Sequence, residues 1–143
     1  MLLEKRSLVI TGAGSGIGRA IAQAAAERGA QVVLVGRRPA ALQETAALLP
    51  AGTRWHLVAA DVTTAAGRAE IVGACRRQGV DVLINNAGVV ASGLLAGLKD
   101  EELIRLVMTN IAAPIALTRD LLPLLKLSDR PRIVNIGSVF GDI

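Results

Sequence analysis

Short runs of β-branched residues alternate with Ala- and Leu-rich stretches along the whole 143-residue chain. That alternation narrows the fold more than any other feature. Parallel strands cannot be joined by a tight turn, so each needs a crossover, and a helix is the usual one. Five strands are predicted, at residues 7–11, 31–36, 54–60, 80–85 and 132–137, each apolar enough to be covered on both faces. The crossovers are predicted as helices over 17–28, 39–49, 65–78 and a long helical region across 100–127. Gly29 suits the glycine C-cap of the first helix, and Pro39 the first turn of the second. No repeat, low-complexity tract or linker divides the chain, so one domain over 1–143 is expected. Right-handed crossovers then give an α/β fold: a doubly wound parallel sheet in the order 3-2-1-4-5, helices on both faces. A ligand crevice is expected beyond the carboxyl ends of strands 1 and 4.

The turn between the first strand and first helix reads Thr11-Gly12-Ala13-Gly14-Ser15-Gly16-Ile17-Gly18. Glycines allow positive φ and close approach of a phosphate to backbone N–H groups, and the following helix N-terminus adds unpaired donors. The spacing is not G-x-G-x-x-G, because Ile17 and Arg19 stand where glycines would complete it, and the Gly-Lys-Ser/Thr ending of a P-loop is absent. A flexible connecting turn is the plainer reading. Its place after the first strand of a βαβ unit favours a pyrophosphate cradle.

From Thr11 to Gly18 the run is T-G-x-x-x-G-x-G, and in this the sequence resembles the short-chain dehydrogenase/reductase family. Asn85-Asn86-Ala87-Gly88 matches that family's N-N-A-G motif and Asp61-Val62 its D-V after the third strand. Asn110 and Ser138 fall where its catalytic asparagine and serine lie. These ordered matches span the chain and imply a Rossmann-type fold, a nicotinamide dinucleotide cofactor and a carbonyl or alcohol substrate. By the same resemblance Gly12, Ser15, Gly16, Ile17 and Gly18 hold the cofactor's phosphates. Asp61 and Val62 meet its adenine, and Asn86, Ala87 and Gly88 lie against its adenosine ribose. Asp61 can alternatively cap the turn into the next helix with Thr63 and Thr64, and Asn86 can serve a purely structural turn.

At the end of the second strand an NAD-binding protein usually presents an acid to the ribose 2′-hydroxyl. Here the chain reads Val35-Gly36-Arg37-Arg38. Gly36 takes the place of the acid, and the arginines can pair with a 2′-phosphate through charge-assisted hydrogen bonds. NADP(H) is therefore favoured over NAD(H), although Arg37 and Arg38 could also be solvated charges. Many NADP-dependent relatives carry a second basic residue where Ser15 stands, and this chain lacks it.

Ser138 and Asn110 match two of the family's four catalytic positions. The resemblance gives the serine a hydrogen bond to the substrate oxygen and the asparagine support of a proton-relay water. The family's Tyr-x-x-x-Lys would come about a dozen residues after the serine, beyond the last residue, and no tyrosine exists anywhere in the sequence. The expectation is the N-terminal portion of a longer NADP(H)-dependent reductase, a homo-oligomer in its full form. The alternative is a truncated nucleotide-binding module, or fragment, without catalysis. Val89, Val90, Leu94 and Leu95 either edge the substrate pocket or pack against the long helix. The lid residues that would select a substrate are not in the sequence.

Other classes are disfavoured. The net charge of +4 comes from scattered basic residues with only two Arg-Arg pairs, so no nucleic-acid face is expected. Glu4, Lys5 and Arg6 interrupt any signal-like apolar stretch, and no apolar run reaches the roughly 18 residues of a membrane helix. A soluble, cytoplasmic protein is expected. Cys75 is the only cysteine, and neither it nor His56 has partners at metal-ligand spacing. Both read as structural residues.

Overall fold

A computed structural model describes residues 2–138. Five parallel strands form one sheet: β1 (Ser7–Thr11), β2 (Gln31–Gly36), β3 (Trp55–Ala59), β4 (Val82–Asn85) and β5 (Arg132–Asn135). Their order is β3-β2-β1-β4-β5, as the crossover argument requires. The central strands carry the continuous apolar runs because both of their faces are covered, and β1 is buried at every position.

Side-chain alternation divides the core in two. On one face Leu8, Ile10, Val32, Leu34 and Ile84 pack against α1 (Gly16–Glu27) and α2 (Pro39–Ala47). The α1 contact is made by Ala22 and Ala25, whose small side chains let the helix lie close to the sheet. On the other face Val9, Val33, Val35 and Leu83 meet α3 (Ala65–Gln78) and α5 (Ala113–Leu125) through Ile71, Leu117, Leu121 and Leu125. These two helices are joined by Arg68 Nε donating to Asp120 Oδ2 at 2.9 Å.

Gly29 follows α1 with φ of +88°, its N–H donating to Ala26 O, and Pro39 occupies the first turn of α2. The predicted boundaries need three adjustments. β3, β4 and β5 are shorter than their apolar runs. β5 is exposed at all four positions, so its apolar run does not mean coverage on both faces. The predicted helix over 100–127 is continuous at Pro114 but changes pitch: α4 (Asp100–Val107) passes into a π-helical stretch, Met108–Ala112, and then into α5. Pro114 has no N–H to return to the Asn110 carbonyl four residues earlier, and here Ala113 N–H reaches back five residues to Met108 O.

Candidate nucleotide-binding site

Two loops leave the adjacent carboxyl ends of β1 and β4 and are latched to one another through Thr11. Its buried hydroxyl accepts from the N–H groups of Asn86 at 3.0 Å and Ala87 at 2.9 Å, and lies 3.4 Å from Ile84 O. In return the Asn86 amide donates to Thr11 O at 3.0 Å and Gly12 O at 3.3 Å. Gly12 has φ of +65°, and a Cβ there would stand 2.8 Å from Asn86 Nδ2 and 3.0 Å from Ala87 Cα. A Cβ on Gly18, in the first turn of α1, would collide with Gly12 O. The glycine spacing thus lets two loops and a helix end share one small volume.

Helix α1 begins at Gly16 with Ser15 as N-cap, yet the Ser15 side chain makes no capping hydrogen bond. The first N–H groups of a helix have no intrahelical acceptor, so this turn offers donors to a ligand.

At the end of β2, Gly36 lines the site without an acidic side chain, and a Cβ there would meet Leu42 Cδ2 at 3.1 Å. Arg37 and Arg38 are exposed, and among the described residues neither forms an ion pair. After β3, Asp61 Oδ1 accepts from the Thr63 hydroxyl at 2.7 Å and the Thr63 N–H at 2.9 Å. Those bonds, aided by the charge of Arg37, hold its carboxyl below the usual aspartate range. Asp61 therefore secures the turn, while the cap of α3 is Thr64, which accepts from Gly67 N–H at 3.0 Å.

These segments surround a cavity of about 430 Å³ at the carboxyl edge of the sheet. Of the sequence-predicted residues, Gly12, Ser15, Arg37, Arg38, Asp61, Val62, Ala87 and Gly88 line it together. Gly16, Ile17 and Gly18 form the adjoining helix turn without lining it, and Ile17 is largely exposed. Asn86 lies behind the wall, with its side chain holding the glycine turn. Arg105, Met108 and Thr109 also line the cavity; nothing in their residue types or spacing marked them.

Asn110 sits in the π-helical stretch and pairs with the loop after β4 as a backbone group would. Its Oδ1 accepts from Val89 N–H and its Nδ2 donates to Val89 O, both at 2.8 Å. π-Helical insertions often mark functional positions. Asn110 lines a second, neighbouring groove with Asn86, Gly88, Thr118 and Asn135. Ser138 is exposed three residues past the end of β5 and lines neither space. Val89 borders the first cavity, whereas Val90, Leu94 and Leu95 are more than four-fifths exposed and neither edge it nor pack on the long helix.

The family model described as short chain dehydrogenase matches residues 6–143. The chain belongs to the short-chain dehydrogenase family. It is 34% identical to the 3-oxoacyl-(acyl-carrier-protein) reductase FabG of Vibrio cholerae over 143 residues, covering 99% of this chain and 58% of that protein. Among solved structures it resembles a metagenomic short-chain oxidoreductase in complex with NADP, with a TM-score of 0.90 and 34% identity over 99% of this chain and 66% of that one. A similar match is L-sorbose reductase from Gluconobacter frateurii complexed with NADPH and L-sorbose: TM-score 0.90, 34% identity, 96% and 54% coverage. The chain thus spans a little over half the length of the curated relative.

In this member of the short-chain dehydrogenase family the one cysteine lies in the core. Cys75 is 1% exposed, and burial pushes its thiol up to about 12, far from a reactive thiolate. No group of three or more His, Cys, Asp or Glu side chains among the described residues is placed to hold a metal. No described helix is long and apolar enough to cross a membrane.

Proposed function

We propose that residues 1–143 form the dinucleotide-binding domain of an NADP(H)-dependent oxidoreductase acting on a carbonyl or alcohol substrate. The observation that carries this reading is one cavity lined by the glycine turn, by two exposed arginines after an acid-free β2 end, and by Asp61 and Ala87-Gly88. The cradle suits a diphosphate: Gly12, Gly14 and Ser15 line it, Gly16 beside them has φ of +52° with nothing within 4 Å of its Cβ position, and the first N–H groups of α1 have no intrahelical acceptor. The two neighbours named with NADP and NADPH support the phosphorylated cofactor.

In this reading the Gly12–Gly18 turn binds the pyrophosphate through backbone N–H groups. Arg37, with Arg38 beside it, neutralises the 2′-phosphate. The Asp61 carboxylate, already fixed through Oδ1, accepts from the adenine amine, and Val62 covers the ring. Asn86 keeps the turn in place while Ala87 and Gly88 allow the ribose to approach. When bound, the nicotinamide supplies hydride transfer to or from the substrate carbon. Asn110 fixes the loop at Val89 and supports a relay water. Ser138 hydrogen-bonds the substrate oxygen. The 143 residues contain no tyrosine, the residue to which the family resemblance gives proton transfer.

Titration calorimetry with NADP⁺ and NAD⁺ tests the assignment. NADP⁺ is expected to bind at least tenfold tighter, and Arg37→Ala to remove most of that preference, since a charge-assisted pair contributes about 1.5–3 kcal/mol. Equal affinity for both nucleotides in the unaltered protein refutes the NADP(H) assignment.

A further inference from the structure

The glycine turn is held from behind as well as from the β4 loop. Thr45 on α2 is fully buried, and its hydroxyl donates to Ala13 O at 2.7 Å while accepting from Arg19 Nε at 3.0 Å. Ala41 O lies farther away, at 3.2 Å, and a hydroxyl has only one proton, so Ala13 O is its better acceptor. Arg19 Nη2 in turn donates to Gly14 O at 2.6 Å and to Glu44 Oε2 at 3.1 Å, with Ala41 O at 3.4 Å. Two successive carbonyls of the turn are therefore gripped by one threonine and one arginine.

A trans peptide is planar, with its C=O and N–H on opposite edges. Pinning the Ala13 and Gly14 carbonyls consequently fixes the Gly14 and Ser15 N–H groups, which point away from Thr45 and Arg19. Both residues line the nucleotide cavity. Helix α2 also begins at Pro39, immediately after Arg37-Arg38, so the same clasp reaches the start of the second nucleotide-binding segment.

We propose that Arg19 and Thr45 are positioning residues for the dinucleotide, clasping the diphosphate turn to α2 so that turn and arginine pair are held as one unit. The inference rests on the NADP(H) reading above. It assigns function to an arginine directly after the glycine motif and to a threonine 26 residues later, both outside the cavity lining.

The test is calorimetric titration of the full chain with NADP⁺ and NAD⁺, in unaltered form and as Thr45→Val, Thr45→Ser and Thr45→Val/Arg37→Ala, alongside urea unfolding of each. Valine keeps the shape but deletes the bonds to Ala13 O and Arg19; serine keeps them. Thr45→Val is expected to weaken both nucleotides by about tenfold in the folded protein, the effect of losing a charge-assisted hydrogen bond. Thr45→Ser is expected to bind within about twofold of the unaltered protein, and Thr45→Val to cost less when Arg37 is already alanine. Should Thr45→Val lower only the unfolding midpoint and leave both affinities within twofold, the residues are merely structural and the proposal is overturned. Unaltered protein that binds both nucleotides equally, yet loses affinity for both with Thr45→Val, sinks the NADP(H) preference and supports the clasp on the diphosphate. Binding of neither nucleotide by the unaltered protein overturns both.

Discussion

Replacing Gly18 by alanine tests whether helix α1, the glycine turn and the β4 loop truly share one small volume. An alanine Cβ would be driven into Gly12 O and would stand 2.5 Å from Asn86 Nδ2. Neither neighbour can swing aside cheaply. Gly12 O is backbone, and the Asn86 amide is tied to Thr11 O at 3.0 Å and Gly12 O at 3.3 Å. Overpacking of this kind costs about 1–3 kcal/mol. Displacing Asn86 from two carbonyls adds about 1 kcal/mol for each bond. Alanine's helical preference over glycine offsets about 1 kcal/mol. The expected net destabilisation is about 2–4 kcal/mol, measured by urea unfolding followed by far-UV circular dichroism. Gly97→Ala is the control, because nothing lies within 4 Å of its Cβ position and it should change stability by less than about 0.5 kcal/mol. A Gly18→Ala protein as stable as the parent, or more so, would show that helix propensity governs this position and that the close contact does not exist.

Asn110→Ala removes both bonds to Val89; amide hydrogen exchange at Val89 should accelerate at least tenfold, and unchanged protection would mean the loop is fixed by other contacts. Thr63→Val deletes the hydroxyl that contributes most to lowering the Asp61 carboxyl, so that pKa should rise toward about 3.9 in an NMR titration. Because the folded-state value is depressed, the associated stability is present above about pH 3.9 and lost as pH falls through the folded pKa. The stability gap between parent and Thr63→Val should accordingly narrow below about pH 3.9, and a gap constant with pH would contradict that assignment.

How far the sequence could be read depended on whether the deciding interactions were local. β1 and β2 have the same bounds in sequence and structure because strands covered on both faces appear as uninterrupted apolar runs ending at a glycine or at a threonine before one. β5 carries the same signal in Arg132–Asn135, yet among the described residues it pairs only with β4 and is exposed throughout. Apolarity records what a strand suits, not which neighbours are present. The change of pitch at Met108–Ala112 was not legible either, although Pro114 marked the place, because a missing N–H can be met by a break or by an i→i−5 bond.

The same distinction holds at the cavity. Gly12, Arg37, Asp61 and Gly88 occupy ends of successive strands, and a doubly wound sheet brings such ends together, so their convergence follows from position alone. Arg105 on α4 and Met108 and Thr109 in the π-helical stretch line the cavity too, a tertiary fact without a residue signature. Arg19 was visible merely as the residue that spoils a G-x-G-x-x-G spacing. Its acceptors on α2 lie 22 to 26 positions away, beyond any local pattern. Val90, Leu94 and Leu95, apolar residues near a motif, are left exposed by the described residues and do not line the nucleotide cavity.

The measurement that bears most directly on the central claim is a ¹H–¹⁵N correlation titration of the full chain with NADP⁺. The account predicts shifts concentrated at Gly12, Gly14, Ser15, Gly36, Arg37, Asp61 and Gly88, the residues around the one cavity. Little change is expected at the opposite edge of the sheet, around Gly52 and Thr53. Saturable binding whose shifts fall elsewhere, or no shifts at all, would contradict it.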